Sequence, residues 1–309
     1  MANFLNIFIS HIAGEDILAN KKYLVTGGMG FIGSALVRRL VGAGNEVRIL
    51  DDVSRGQIKR VKDIEKSIEI VEGNVCNSDV VKSACKGVDS VFHLAFINGT
   101  EFFYSHPEAV LNVGVRGIIN IIDGCIKEDI KELFLASSSE VYQTPPHIPT
   151  DETAPFSIPD PLNPRYSYAG GKIISELMTI NYGRKHFDRA VIFRPHNVYG
   201  PDMGWEHVIP QFILRMKKLS KTSQNPVKFP IQGTGKETRS FVYIDDFIDG
   251  LMAVLERGEH LGIYHIGTME EISIENVAKE GGRYFDKDVV IVPGKLMKGS
   301  TLRRCPDTT

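Results

Sequence analysis

The chain has 309 residues, 42% hydrophobic and 24% charged, with 36 basic against 38 acidic side chains and a formal net charge of −2. Enough apolar residues are present to bury a sizeable core, which excludes disorder, and the balanced charge excludes nucleic-acid binding through a broadly basic surface. No run approaches the ~18 continuous apolar residues of a membrane span. The four cysteines, Cys76, Cys85, Cys125 and Cys305, are too scattered for a zinc site or a disulfide framework. We therefore expect a cytoplasmic chain with no metal, membrane or nucleic-acid partner.

Residues 1–20 read as an N-terminal extension; with no basic start, and with Glu15 and Asp16 interrupting the apolar run, they do not read as a signal peptide. A strand–helix rhythm begins at Lys22. Residues 23–25 predict a strand, 31–41 an amphipathic helix, 46–51 strand two, 67–71 strand three, and 78–86 a helix capped by Ser78. Strand four follows over 88–94, a long Val- and Ile-rich helix over 109–127, and strand five over 132–136. Short apolar strands alternating with helices predict βαβ units and a parallel sheet buried on both faces. Residues 144–164 hold seven of the 15 prolines and predict a long functional loop. A helix over 168–182 and a strand over 190–193 come next. After Pro195 the rhythm turns irregular, as expected of a smaller lobe over the sheet edge.

The first motif is Thr26-Gly27-Gly28-Met29-Gly30-Phe31-Ile32-Gly33, directly after a strand and opening a helix. Gly27 permits the tight turn, Gly30 lets the backbone approach a pyrophosphate, and Gly33 allows close helix–strand packing. The helix start then offers N–H groups and a positive dipole end to phosphate. Asp51 ends the next strand 18 residues after Gly33, where a carboxylate accepts ribose hydroxyls and repels a 2′-phosphate; this favours NAD over NADP. Arg55 is the residue that argues the other way, since a nearby guanidinium suits that phosphate. Asn74 and Val75, after strand three, are placed to meet the adenine.

The second motif is Tyr168-Ala-Gly-Gly-Lys172, and the third is Ser137-Ser138-Ser139-Glu140-Val141-Tyr142 after strand five. Residues i and i+4 share a helix face, so the ammonium lies near the phenol and stabilises its anion. In a doubly wound sheet, ligands bind at the carboxyl ends of strands, where all three motifs fall.

With Val91-Phe92-His93-Leu94-Ala95, the run from Arg194 to Pro201 and the run from Arg239 to Asp246, these motifs resemble an extended short-chain dehydrogenase/reductase of the NAD-dependent epimerase/dehydratase family, which acts on nucleotide sugars. The resemblance covers residues 22–307. It implies an α/β fold with a doubly wound Rossmann-type parallel sheet: an NAD-binding domain carrying the catalytic residues over 21–194, and mainly a substrate-binding lobe over 195–309. It implies cofactor contacts at Gly27, Gly30, Phe31, Ile32, Gly33, Asp51, Asn74, Val75, Leu94, Ala95, Tyr168 and Lys172. Tyr168 would be the acid/base, Lys172 its tuner and ribose contact, and Ser138 the partner of the sugar hydroxyl. Ser139, Asn197, Arg239 and Arg304 would bind the substrate, the last three at its diphosphate, for which a guanidinium suits bidentate contact.

The reaction implied starts with oxidation at C4 of the sugar, after which a 4-keto intermediate is reduced as an epimer, loses water, or loses carbon dioxide from a uronate. Glu140 resembles the catalytic base of dehydratases, and Ser-then-Glu resembles the decarboxylase branch too. We rank epimerisation ahead because it needs only groups plainly present. An NAD-binding regulator or assembly subunit on the same fold is the non-enzyme alternative. His93 reads as strand-end packing, and His196 and His207 as loop residues. Gly114 stands where many relatives carry Asn, which implies altered local geometry. The chain ends soon after Arg304, short of the relatives' terminal helix. A homodimer through the helices at 109–127 and 168–182 is also implied.

Overall fold

The computed structural model describes residues 20–309; the extension expected over residues 1–20 lies outside them except for Asn20. Seven parallel strands form the central sheet: β1 (Lys22–Thr26), β2 (Glu46–Asp51), β3 (Ile68–Glu72), β4 (Ser90–His93), β5 (Glu132–Ala136), β6 (Arg189–Pro195) and, far later in the chain, β11 (Ile263–Ile266). Their spatial order is β11-β6-β5-β4-β1-β2-β3. The chain winds one way from β1 to β3 and the other way from β4 onward. The carboxyl ends of β1 and β4 therefore flank a topological switch point, where ligands bind in such sheets.

Alternation along β1 divides the core. Tyr23 and Val25 face one side, with Leu36, Val37 and Leu40 of α1 (Phe31–Gly42). Leu24 faces the other, with Val81 of α2 (Ser78–Cys85) and Ile118, Ile121 and Ile122 of α4 (Pro107–Lys127). A short helix α3 (Thr100–Ser105) precedes α4, and α5 (Ser167–His186) packs beside it. By length and composition α4 could cross a membrane, but Val110, Ile118, Ile121 and Ile122 are all buried in the core. The cap of α2 is Asn77 rather than Ser78: the Asn77 side chain accepts from the N–H groups of Asp79 and Val80, so Ser78 becomes the first helical residue.

Beyond Pro195 the chain does not leave the sheet for good. β7 (Val198–Tyr199) pairs with β10 (Val242–Tyr243), and α7 (Ile244–Arg257) packs Phe247, Leu251 and Leu255 on the α1 side. β11 then pairs with β6 as the sheet's edge. A second core of Phe212, Met216, Val227, Phe229, Ile231 and Ala278 sits in the remaining elements. These are α6 (Val208–Leu219), β8 (Val227–Pro230), α8 (Ile274–Tyr284) and β13 (Val289–Val292), with β8 and β13 paired. β9 (Thr238–Ser240) lies between β12 (Glu271–Ser273) and β14 (Arg303–Arg304). The Pro-rich 144–164 loop is tied to the C-terminal segment. Thr150 donates its N–H to Cys305 O at 2.9 Å, and Asp307 donates to Thr150 O at 2.7 Å.

Candidate active site

The Gly-rich turn is built by close main-chain approach. Gly27 has φ +70°, and a Cβ there would stand 3.0 Å from the backbone of Ala95. A Cβ at Gly33 would stand 2.1 Å from Gly27 O, so only glycine lets α1 start this near the turn. Gly30 is the helix N-cap, with no side chain capping it among the described residues. The bare first turn, carrying Phe31 and Ile32, presents backbone N–H groups at the switch point and fits a pyrophosphate. Asp51 braces the turn, accepting from Met29 N at 3.0 Å and Val53 N at 2.9 Å; its burial pushes the carboxyl above the ordinary value. Arg55 is committed elsewhere, paired with Glu206 at 3.2 Å and lying over the Phe102 ring. Asn74 donates to Asp52 at 2.8 Å and accepts from Cys76 N, while Val75 is buried and held through its carbonyl by Asn120.

The Thr26 hydroxyl organises the neighbouring strand end. It accepts from Leu94 N and Ala95 N, each at 3.1 Å, and lies in hydrogen-bond range of His93 Nδ1 at 2.8 Å. Burial, reinforced by the nearby Lys172 charge, pushes His93 down to about 3, so this imidazole is neutral and structural.

Tyr168 lies in the first turn of α5 and is buried. Phe103 stacks on its ring at 4.7 Å between centroids, and Phe96 crosses it at 5.0 Å and 77°. Burial raises its pKa well above the ordinary phenol; a hydrogen bond with Ser138 and the Arg304 charge oppose that, and Glu140 adds to it. The Ser138 hydroxyl also accepts from Glu140 N at 3.2 Å, capping the short helical turn at Ser139–Val141, in which Ser139 is buried. Lys172 departs from the simple i, i+4 picture. Its Nζ lies 5.8 Å from the Tyr168 ring centroid and donates instead to Ala136 O at 2.6 Å, with the Phe96 ring 4.1 Å away. The ammonium is thus beside the phenol but not bonded to it. Burial, opposed by Glu176, pushes it down to about 7.

Glu140 meets the lobe. Arg304 donates to it at 2.7 Å, Arg165 lies at 3.5 Å, and Gln143 donates at 2.9 Å. Burial pushes this carboxyl up, but the two guanidiniums and these hydrogen bonds outweigh it and hold it at about 2. Arg239 is close enough that burial and then Arg304 push it down to about 10. It donates to Thr238 O and Thr301 O, at 2.7 and 2.6 Å. Asn197, with φ +43°, donates to Ser240 O at 2.9 Å and braces the β9–β10 corner. His196 is buried edge-on against His265, and His207 is pushed down by burial.

The site therefore joins a glycine-built turn at the start of α1, a buried phenol beside a buried ammonium, and two arginines on one carboxylate with Arg239 nearby. A model of the NAD dependent epimerase/dehydratase family matches residues 23–267. The chain belongs to that family. UDP-glucuronic acid decarboxylase 4 of Arabidopsis thaliana is 30% identical over 290 residues, and this epimerase/dehydratase-family chain spans 62% of that relative's length while 93% of the chain is matched. UDP-N-acetyl-alpha-D-glucosaminuronate decarboxylase of Bacillus cytotoxicus is 30% identical, with 84% of this chain and 79% of that protein covered. Among solved structures, the dTDP-glucose 4,6-dehydratase DesIV of Streptomyces venezuelae, with NAD and TYD bound, superposes with a TM-score of 0.82 at 26% identity, covering 93% of this chain and 88% of that one.

Phe96, Phe103, Gln143 and Arg165 were not singled out from the sequence. Gly114 and Gly171, on the facing helices α4 and α5, were the signal for Phe96, because both positions are bare where its ring sits. Arg165 carried no signal: it joins Glu140 only through the return of the Pro-rich loop.

Proposed function

We propose that this chain is an NAD-dependent enzyme that oxidises a nucleotide sugar at C4 and completes its reaction through the transient 4-keto sugar. The observation that carries the reading is the convergence of Tyr168, Ser138 and Lys172 at the carboxyl ends of β4 and β5, beside the Gly27–Gly33 cradle. NAD, held by that turn and by Asp51, would supply the hydride acceptor. Ser138 orients the sugar hydroxyl toward Tyr168, and the phenol, whose burial is opposed by its hydrogen bond with Ser138 and by the Arg304 charge, takes and returns the proton beside the Lys172 ammonium. Arg239 and Arg304, with Asn197 shaping the corner, receive the diphosphate. The aromatic wall of Phe96 and Phe103 keeps water from the phenol.

The Glu140 clamp selects among outcomes. A carboxyl held at about 2 by Arg304 and Arg165 is a weak base for removing a C5 proton, which disfavours 4,6-dehydration. Epimerisation at C4 needs no such base and is the first reading. Decarboxylation of a uronate needs none either, because a 4-keto uronate is a β-keto acid. The surplus positive charge of Arg165, Arg239 and Arg304 favours it as the second reading, and so does similarity to two decarboxylases. Incubation with UDP-, GDP-, dTDP- and CDP-sugars followed by mass spectrometry and NMR tests the proposal. Unchanged mass with an inverted centre supports epimerisation, loss of carbon dioxide supports the second reading, and NADH accumulating at 340 nm would overturn both.

We also propose a homodimer. Leu111, Ile119 and Ile126 of α4 and Ile174, Leu177 and Tyr182 of α5 remain exposed on adjacent helices, a face that a second copy would cover. Light scattering of Leu177→Glu should show monomers if this holds.

A further inference from the structure

The Phe96 ring occupies a slot between α4 and α5 that exists only because two positions lack side chains. A Cβ on Gly114 would stand 2.5 Å from Phe96 Cζ, and one on Gly171 would stand 2.9 Å from the same atom. The ring cannot be lengthened at its tip, since the two helix backbones close over it. Held there, it has the Lys172 ammonium 4.1 Å from its centroid and meets the Tyr168 ring nearly at a right angle.

The surroundings of Lys172 make that contact matter. Nζ is buried and, among the described residues, has one hydrogen bond, to Ala136 O. On its own helix, Glu176 is already paired with Arg194 of β6. From β4, His93 is neutral, its Nδ1 engaged by Thr26. Tyr168, one turn back, is an uncharged phenol at rest. Among the described residues no carboxylate touches the ammonium directly, so the face of an aromatic ring is the electron-rich surface left to it, and a desolvated cation over such a face gains most.

We propose that Phe96 is a positioning residue of the active site: its ring holds the Lys172 ammonium by a cation–π contact and aims it beside Tyr168, in a slot kept open by Gly114 and Gly171. The proposal rests on the catalytic reading of Lys172 and Tyr168, so its test reads the free protein as well as the reaction.

Phe96 is replaced in the full chain by mono-, di- and trifluorinated phenylalanine, which weakens the electrostatics of the ring face at nearly constant shape. Lysine is 13C-labelled, and the Lys172 signal is assigned by its loss in Lys172→Met. Weakening the contact disfavours the ammonium, so the Lys172 titration should move stepwise to lower pH with fluorination. In Phe96→Leu the shift should reach about 0.5 to 1.5 pH units. Gly114→Ala, which expels the ring, should give the same direction and add little to Phe96→Leu. The alkaline limb of turnover should move with the titration. A Lys172 titration that stays in place across the fluorinated series overturns the proposal. A titration that moves while the turnover profile does not would keep the contact but remove Lys172 from the reaction, and with it the positioning role.

Discussion

Arg304 Nη1 donates to Glu140 Oε1 at 2.7 Å, joining residues 164 positions apart and pinning the C-terminal segment to the turn after β5. The pair has a consequence for acid stability. Glu140 is lowered from 4.5 to about 2, so its contribution is complete above the ordinary carboxyl value and is lost as the pH falls through the folded value. Urea denaturation should show roughly 3 kcal/mol disappearing between about pH 4.5 and pH 2. Glu140→Gln should be less stable at neutral pH and lack that acid-dependent step; an unchanged pH profile would show that the pair contributes nothing.

Lys172 has the opposite sign. Its folded value of about 7 lies below the ordinary 10.5, so between those limits the unfolded chain holds more protons and stability climbs with pH. Below about pH 7 the buried ammonium is a full burden. Lys172→Met should therefore be inactive yet more stable by roughly 2–4 kcal/mol at neutral pH. Thermal denaturation checks this; a destabilised variant would mean that the bond to Ala136 O outweighs the cost of burial.

Tyr168→Phe keeps the ring that stacks on Phe103 and removes only the hydroxyl. Turnover should fall by about 10²–10⁴, the usual worth of a general acid–base group, while NAD affinity stays within a few fold. Calorimetry and product assay separate the two, and near-normal turnover would remove Tyr168 from the mechanism.

Two glycines in one helix should respond in opposite directions. Gly33→Ala places a methyl group 2.1 Å from Gly27 O, so it should destabilise the chain and abolish dinucleotide binding. At Gly42 a Cβ meets nothing within 4 Å and the residue lies in the last turn of α1, so Gly42→Ala should stabilise by about 0.4–1 kcal/mol. Melting curves of both variants decide it.

Strands β2 and β5 have the bounds read from residues 46–51 and 132–136, because buried parallel strands are short apolar runs ended by turn residues. The α2 cap slipped by one residue, since Asn77 and Ser78 are both good caps and only the reach of the Asn77 carbonyl chose between them. Spacing placed Lys172 on the face of Tyr168, but not its ammonium. Four rotatable bonds carry that group, and Ala136 O and the Phe96 ring decided where it ended.

From the residues alone came the parallel α/β sheet, the Gly-rich turn that opens α1 and the grouping of Ser138, Tyr168 and Lys172 at one end of it. These follow from local periodicity, glycine stereochemistry and the rule that such sheets bind ligands at strand ends. The return of β11 to the sheet edge, the Glu140–Arg165–Arg304 cluster and the Phe96 slot were decided by tertiary structure. Each depends on segments distant in sequence meeting at contact range, and contact energies between buried charges and rings fall away within a few ångströms, which no spacing along the chain encodes.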